Sequence, residues 1–196
     1  MTREDYMAHA LGLAERGRGR TSPNPVVGAV IVKDGAIIGE GWHKKCGENH
    51  AEINAFEDAA AKNQDVEGAE MYVTLEPCSH YGKTPPCAKA IIRKKIKKVY
   101  VGLLDPNPLV AGRGIRMMEE AGIQVESGIL EEECRRINEI FLKYITEKRP
   151  FVVMKTAMTL DGKIAAYTGD SKWVSGEASR AIVQKMRNSM TGIMAG

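Results

Sequence analysis

At 196 residues the chain has room for one full domain, or one domain with an appendage, and enough length to bury a proper core. With 43% hydrophobic and 27% charged residues it is neither disordered nor membrane-spanning, and its net charge of +3 with 6% aromatics argues against a nucleic-acid surface. The opening Met1-Thr-Arg-Glu-Asp-Tyr lacks an apolar signal core, so the cytoplasm is the expected location, with the four cysteines read as thiols and ligands rather than disulfides.

Thr2 through Arg16 has the pattern of a capped amphipathic helix: Thr2 at the cap, Asp5 three residues on, and Tyr6, Met7, Ala10, Leu13 and Ala14 at helical spacing. Val26 to Val32 and Ala36 to Trp42 are β-prone runs joined by Lys33-Asp34-Gly35, which signals a hairpin. His50 to Lys62 reads as a helix, Glu70 to Leu75 and Lys98 to Leu103 as buried strands, with a helix between them starting near Pro85. The cluster Arg93-Lys-Lys-Ile-Lys-Lys98 sits where cations favour a helix C-terminus and stay solvated. A helix near Ile115 to Ala121, a short strand near Gln124 and a helix from Glu131 to Thr146 complete an α/β sandwich with a mixed sheet. Glu147-Lys-Arg-Pro150 marks a domain boundary, giving 1–147 and 151–196; Phe151 to Lys155 reads as a strand, and Gly192 to Gly196 as the beginning of another.

The chemistry concentrates in His50-Ala51-Glu52, Pro77-Cys78 and Cys87. One imidazole and two thiolates suit Zn²⁺, and three protein ligands leave the fourth position for water, as catalytic zinc requires. Glu52 is then a carboxylate outside the ligand set. Zinc-dependent nucleobase deaminases carry H-x-E and P-C-x-x-C, the Glu moving protons rather than binding metal. Here the two cysteines are separated by eight residues, Ser79 to Pro86, which must bulge out and return to keep the metal geometry. Plainer readings stay open at this point: His50 as a helix cap beside two buried thiols, or a structural zinc completed by Cys46 or His80. Asn24, between two prolines, is either a turn amide or an amide held at a fixed angle to a base edge. His80, Lys83 and Thr84 in the inserted loop offer donors suited to ribose and phosphate, although a loop lysine is more often simply solvated. Cys46 and Cys134 read as bystanders.

The run Glu76-Pro-Cys-Ser-His-Tyr-Gly-Lys-Thr-Pro-Pro-Cys87 resembles the zinc motif of the bifunctional riboflavin-biosynthesis deaminase/reductase family. Ser22 to Gly28, Gly41-Trp-His43 and Asp105 to Gly114 are similar to that family's other blocks, so the likeness spans roughly residues 1 to 150. It implies a three-layer α/β/α cytidine-deaminase-like domain and hydrolytic, zinc-dependent deamination of diaminohydroxyphosphoribosylaminopyrimidine. It also implies that Asn24 contacts the pyrimidine, that His43 lies beside the substrate, and that Asp105 and Asn107 contact the ribose phosphate. Lys155 to Ala165 with Gly169 to Trp173 resembles the opening of the family's dihydrofolate-reductase-like reductase domain, placing Lys155, Asp161, Ser171, Trp173 and Arg187 at substrate-side positions. The chain is expected to end before that domain's nucleotide centre, so NADPH is a cofactor only of a complete reductase. The expected partners are a phosphorylated pyrimidine and further copies of the chain in a homo-oligomer, with no nucleic acid and no membrane. The alternatives are a cytidine or tRNA-adenosine deaminase, disfavoured by the eight-residue loop, and a zinc-stabilised binding module without turnover.

Overall fold

The computed structural model describes residues 1–81, 85–107 and 111–195. The chain divides into two compact units, Met1–Pro150 and Phe151–Gly196.

The first unit is built on a five-stranded sheet. β1 (Gly28–Lys33) and β2 (Ala36–Trp42) form a hairpin whose turn residues Asp34 and Gly35 both have positive φ, 52° and 77°. Asp-Gly is the dipeptide that tolerates those dihedrals in a two-residue hairpin loop. β3 (Glu70–Leu75) pairs antiparallel with β1, β4 (Lys98–Leu103) parallel with β3, and β5 (Gln124–Ser127) parallel with β4. The resulting order, β2-β1-β3-β4-β5, is the mixed sheet expected from the sequence.

Strand alternation sends side chains to two cores. On one face Ala29, Ile31, Met71, Val73, Val99 and Val101 pack with Ala55, Phe56 and Ala59 of α2 (Ala51–Ala61), Ile91 of α3 (Cys87–Arg93) and Met118 of α4 (Arg113–Glu120). On the other Val30, Val32, Tyr72 and Tyr100 pack with Tyr6, Met7, Ala10 and Leu13 of α1 (Arg3–Glu15). Tyr72 and Tyr100, neighbours in the parallel ladder, stack with ring centroids 4.4 Å apart. Helices therefore cover both faces in three layers. α1 starts as its residues dictate: the Asp5 amide donates to Thr2 Oγ1 at 3.2 Å, and the Thr2 amide donates to Asp5 Oδ2 at 2.8 Å.

Three expectations need correction. The single helix expected over Glu131 to Thr146 is two, α5 (Glu131–Ile137) and α6 (Glu139–Glu147), broken at Asn138. The buried Asn138 amide accepts from the Val26 N–H and donates to the Val26 carbonyl, both at 2.9 Å, so its side chain mimics a paired backbone and pins the segment before β1. Phe151 to Lys155 is not a strand, nor are the described residues from Gly192 onward. A strand needs a partner for its ladder, and the described residues of the second unit contain no strand.

The second unit instead has turns and one helix. Thr159–Lys163 and Ala166–Asp170 are each closed by backbone hydrogen bonds of 2.8 Å, from the Thr159 amide to the Lys163 carbonyl and from the Ala166 amide to the Asp170 carbonyl. They are followed by α7 (Glu177–Ser189). No described residue of this unit is buried.

Candidate metal centre

The hairpin delivers the chain to α2 with His50 in the N-cap position, φ −73° and ψ 167°, where its side chain makes no capping bond. Asn54 in the first turns of α2 fixes that delivery, donating to the Trp42 carbonyl at 2.7 Å and the Asn49 carbonyl at 3.3 Å. β3 delivers Cys78 from the other side, and Cys87 opens α3 just past Pro86. The insertion between the cysteines does return: the Cys87 amide lies 3.3 Å from Cys78 Sγ, and the Ala88 amide donates to the Cys78 carbonyl at 3.2 Å.

Three donor atoms converge. His50 Nδ1 is 3.6 Å from Cys78 Sγ and 3.3 Å from Cys87 Sγ, and the three atoms all lie within 4.8 Å of one another. A tetrahedral zinc with Zn–N of about 2.0–2.1 Å and Zn–S of about 2.3 Å would hold nitrogen and sulfur roughly 3.5 Å apart. The donor set and its spacing therefore fit zinc. Among the described residues no fourth His, Cys, Asp or Glu joins the cluster, and Cys46 is exposed elsewhere. The Cys78 thiol is held well below its usual pKa, first by its hydrogen bond with Cys87 and then by that with His50. His50 is raised in turn, chiefly by its hydrogen bond with Cys78.

Glu52 is only 3% exposed, in the first turn of α2 against this cluster. Burial, followed by the Cys78 charge, pushes its carboxyl up to about 7, while the His50 charge and a hydrogen bond with Cys87 oppose that rise. A divalent cation on the three ligands would pull in the same direction as His50. A carboxyl raised by burial and lowered by a neighbouring cation can both take and return a proton.

Beside the cluster lies a polar relay. His43 is buried and meets the His50 ring edge-on, centroids 5.4 Å apart. Its Nδ1 faces the Asn49 carbonyl at 3.0 Å, which requires the proton on Nδ1, and its Nε2 is 3.1 Å from Asn24 Nδ2. Burial lowers the His43 pKa and favours the neutral ring. In that ring Nε2 accepts from the Asn24 amide nitrogen, so the orientation of the Asn24 amide is fixed by a backbone carbonyl on the far side of the imidazole.

After β4, Asp105 is half-buried and accepts from the Asn107 amide at 2.9 Å. Burial raises the Asp105 pKa, opposed first by its hydrogen bond from the Asn107 amide, while His80 is exposed. Lys83 and Thr84 lie outside the described residues. In the second unit, Lys155, Ser171, Trp173 and Arg187 line one cleft, where Arg180 stacks over the Trp173 ring at 4.4 Å; Asp161 is absent from that lining and accepts from the Thr159 hydroxyl. Reading the sequence passed over Asn54 as the tether of α2, and the side chain of Glu76. Glu76 was visible in the run before Cys78, but its partners lie some thirty residues further along the chain.

Comparison with known proteins follows this division. Residues 1–103 match the cytidine and deoxycytidylate deaminase zinc-binding region, and residues 150–196 match the RibD C-terminal domain. The riboflavin biosynthesis protein RibD of Actinobacillus pleuropneumoniae is 54% identical over all of this chain and 51% of its own length. A crystal structure of a diaminohydroxyphosphoribosylaminopyrimidine deaminase/5-amino-6-(5-phosphoribosylamino)uracil reductase from Thermotoga maritima superposes with a TM-score of 0.89 and 52% identity, over 94% of this chain and 52% of that one. The Aspergillus oryzae Rib2 deaminase, solved in complex with DARIPP, gives a TM-score of 0.59 at 28% identity, over 73% of this chain and 93% of that one. The chain thus spans about half the length of the curated relatives it matches. With its three-ligand cluster, its buried glutamate and a family match covering more than half its residues, the chain belongs to the cytidine and deoxycytidylate deaminase zinc-binding family.

Proposed function

We propose that residues 1–147 form a deaminase domain that hydrolyses the amino group of diaminohydroxyphosphoribosylaminopyrimidine, with residues 151–196 the opening part of a reductase domain. The observation that carries the reading is Glu52, buried beside three zinc-suited donors and outside the ligand set. His50, Cys78 and Cys87 would hold a zinc ion, which would supply a Lewis acid and lower the pKa of a water to about 7. Glu52, the carboxyl beside these ligands, would take a proton from the attacking water and give it to the ring nitrogen adjacent to the carbon that bears the amino group. Glu52 then carries the second proton to the departing amine, so that the C–N bond breaks, ammonia leaves and a ring carbonyl remains. Asn24, its amide oriented through His43, reads the pyrimidine edge. Asp105 and Asn107, at the carboxyl end of β4 where open α/β sheets place ligands, meet the ribose phosphate together with His80, Lys83 and Thr84.

In residues 151–196 the proposal assigns Lys155, Asp161, Ser171, Trp173 and Arg187 to the substrate side of the reductase domain. A homo-oligomer in the cytoplasm completes the reading. Four free thiols suit a reducing compartment, and no described helix is long and apolar enough to cross a membrane.

The test follows ammonia release from the phosphorylated pyrimidine, from its dephosphorylated form and from cytidine. The reading expects turnover of the first and a higher KM for the second. Equal kinetics with and without the phosphate, or preference for cytidine, would contradict it.

A further inference from the structure

Glu76 is 4% exposed and belongs to neither the ligand set nor the proton path. It follows the last residue of β3, two positions before Cys78, and its own amide continues the sheet by donating to the Leu103 carbonyl at 2.9 Å. The side chain does something different. Its Oε2 accepts from the Asp105 amide at 3.3 Å and the Gly112 amide at 3.0 Å, and its Oε1 accepts from the Gly114 amide at 3.1 Å. One carboxyl group therefore holds both ends of the segment that runs from β4 to α4. The packing agrees independently, because a Cβ on Gly114 would overlap the Pro77 carbonyl oxygen, so the start of α4 is seated directly against the turn that presents Cys78. A side chain at 114 would force the two segments apart.

We propose that Glu76 is a positioning residue, a clasp that holds Asp105 and the start of α4 at Gly112 and Gly114 in register with the metal ligands, so that substrate groups meeting Asp105 and Asn107 are aligned with the reacting carbon. The substrate part of this rests on the deamination reading above. Three amide donors satisfy both carboxyl oxygens, so Asp105, Gly112 and Gly114 are tied to one point before substrate arrives rather than on binding. The substitution Glu76→Gln breaks the pattern in either orientation of the amide. With the nitrogen at the Oε1 position it faces the Gly114 N–H, and at the Oε2 position it faces those of Asp105 and Gly112, donor against donor. The effect falls on substrate affinity, since none of these three bonds is made to His50, Cys78, Cys87 or Glu52.

The test compares Glu76→Gln with the parent in zinc per chain, in KM and kcat for ammonia release from diaminohydroxyphosphoribosylaminopyrimidine, and in hydrogen exchange at the amides of Asp105, Gly112 and Gly114. The clasp predicts close to the parent's zinc content, a KM raised about tenfold or more, a kcat reduced by less than about threefold, and faster exchange at those three amides. Loss of zinc, a fall in kcat at unchanged KM, or unaltered exchange would overturn it, because each assigns Glu76 to the metal turn or to general packing. A variant that fails to fold leaves the parent to decide: slow exchange at all three amides supports the clasp, and fast exchange at Gly112 and Gly114 overturns it. If the parent releases no ammonia from this substrate, the deamination reading falls, and the exchange pattern still decides whether the clasp exists.

Discussion

The two units contain similar kinds of residues and arrive at opposite outcomes. In the first, Ile31, Met71, Val73, Val99 and Val101 are fully enclosed between a sheet and its helices. In the second, Val152, Met154, Leu160, Tyr167 and Met194 are strongly exposed, and α7 buries none of its residues. Apolar composition alone is therefore not what makes a core. A strand or helix buries its face only where other elements supply the opposite wall, and the first unit has five paired strands while the described residues of the second have none. The consequence for function is direct. Placing three ligand atoms within a few ångström takes walls that do not yield, and among the described residues those walls are in the first unit.

If that contrast is right, perturbations of the first unit should be felt throughout it and those of the second should be silent. The largest expected effect is that of Cys87→Ser, which should lose zinc and ammonia release together and lower the unfolding midpoint of the first unit, since metal binding is coupled to folding. Elemental analysis beside an ammonia assay and a thermal melt measures all three, and a zinc-free variant with full activity would break the account. Next comes Asn138→Ala, which strands the buried Val26 N–H and carbonyl and should cost about 1–3 kcal/mol in denaturant unfolding. A cost near zero would mean that the α5–α6 break is not a structural tie. The smallest is Leu160→Ser in the second unit, where the side chain is fully exposed; it should shift stability by less than about 0.5 kcal/mol. A larger loss would show that this residue is covered in solution and that the contrast between the units is weaker than described.

The same contrast explains what could be read from the sequence. Local signals translated faithfully: Thr2 with Asp5 became a reciprocal cap, and Asp34-Gly35 became the hairpin turn. The H-x-E and two-cysteine pattern also converged as its chemistry requires, although eight residues intervene where two are usual, because the donors are set at the ends of β3, α2 and α3 rather than by the loop itself. Features decided by distant partners were not legible. Asn138 ends a helix because of Val26, far away in sequence; Glu76 looks like an ordinary acidic residue until the amides of Asp105, Gly112 and Gly114 fold onto it. Phe151 to Lys155 has the composition of a strand, and the described residues of its unit offer no ladder for it to join. The orientation of the Asn24 amide likewise depends on the Asn49 carbonyl, acting through His43.

The central claim is that the first unit is a zinc deaminase in which Glu52 moves protons and does not bind metal. The most direct measurement is Glu52→Gln, assayed for zinc per chain and for ammonia release from diaminohydroxyphosphoribosylaminopyrimidine. An amide keeps the shape and cannot carry the proton, so zinc should stay near one per chain while turnover falls by about 10²- to 10⁴-fold. Turnover within a few-fold of the parent would contradict the claim and reduce Glu52 to a buried residue at the start of α2.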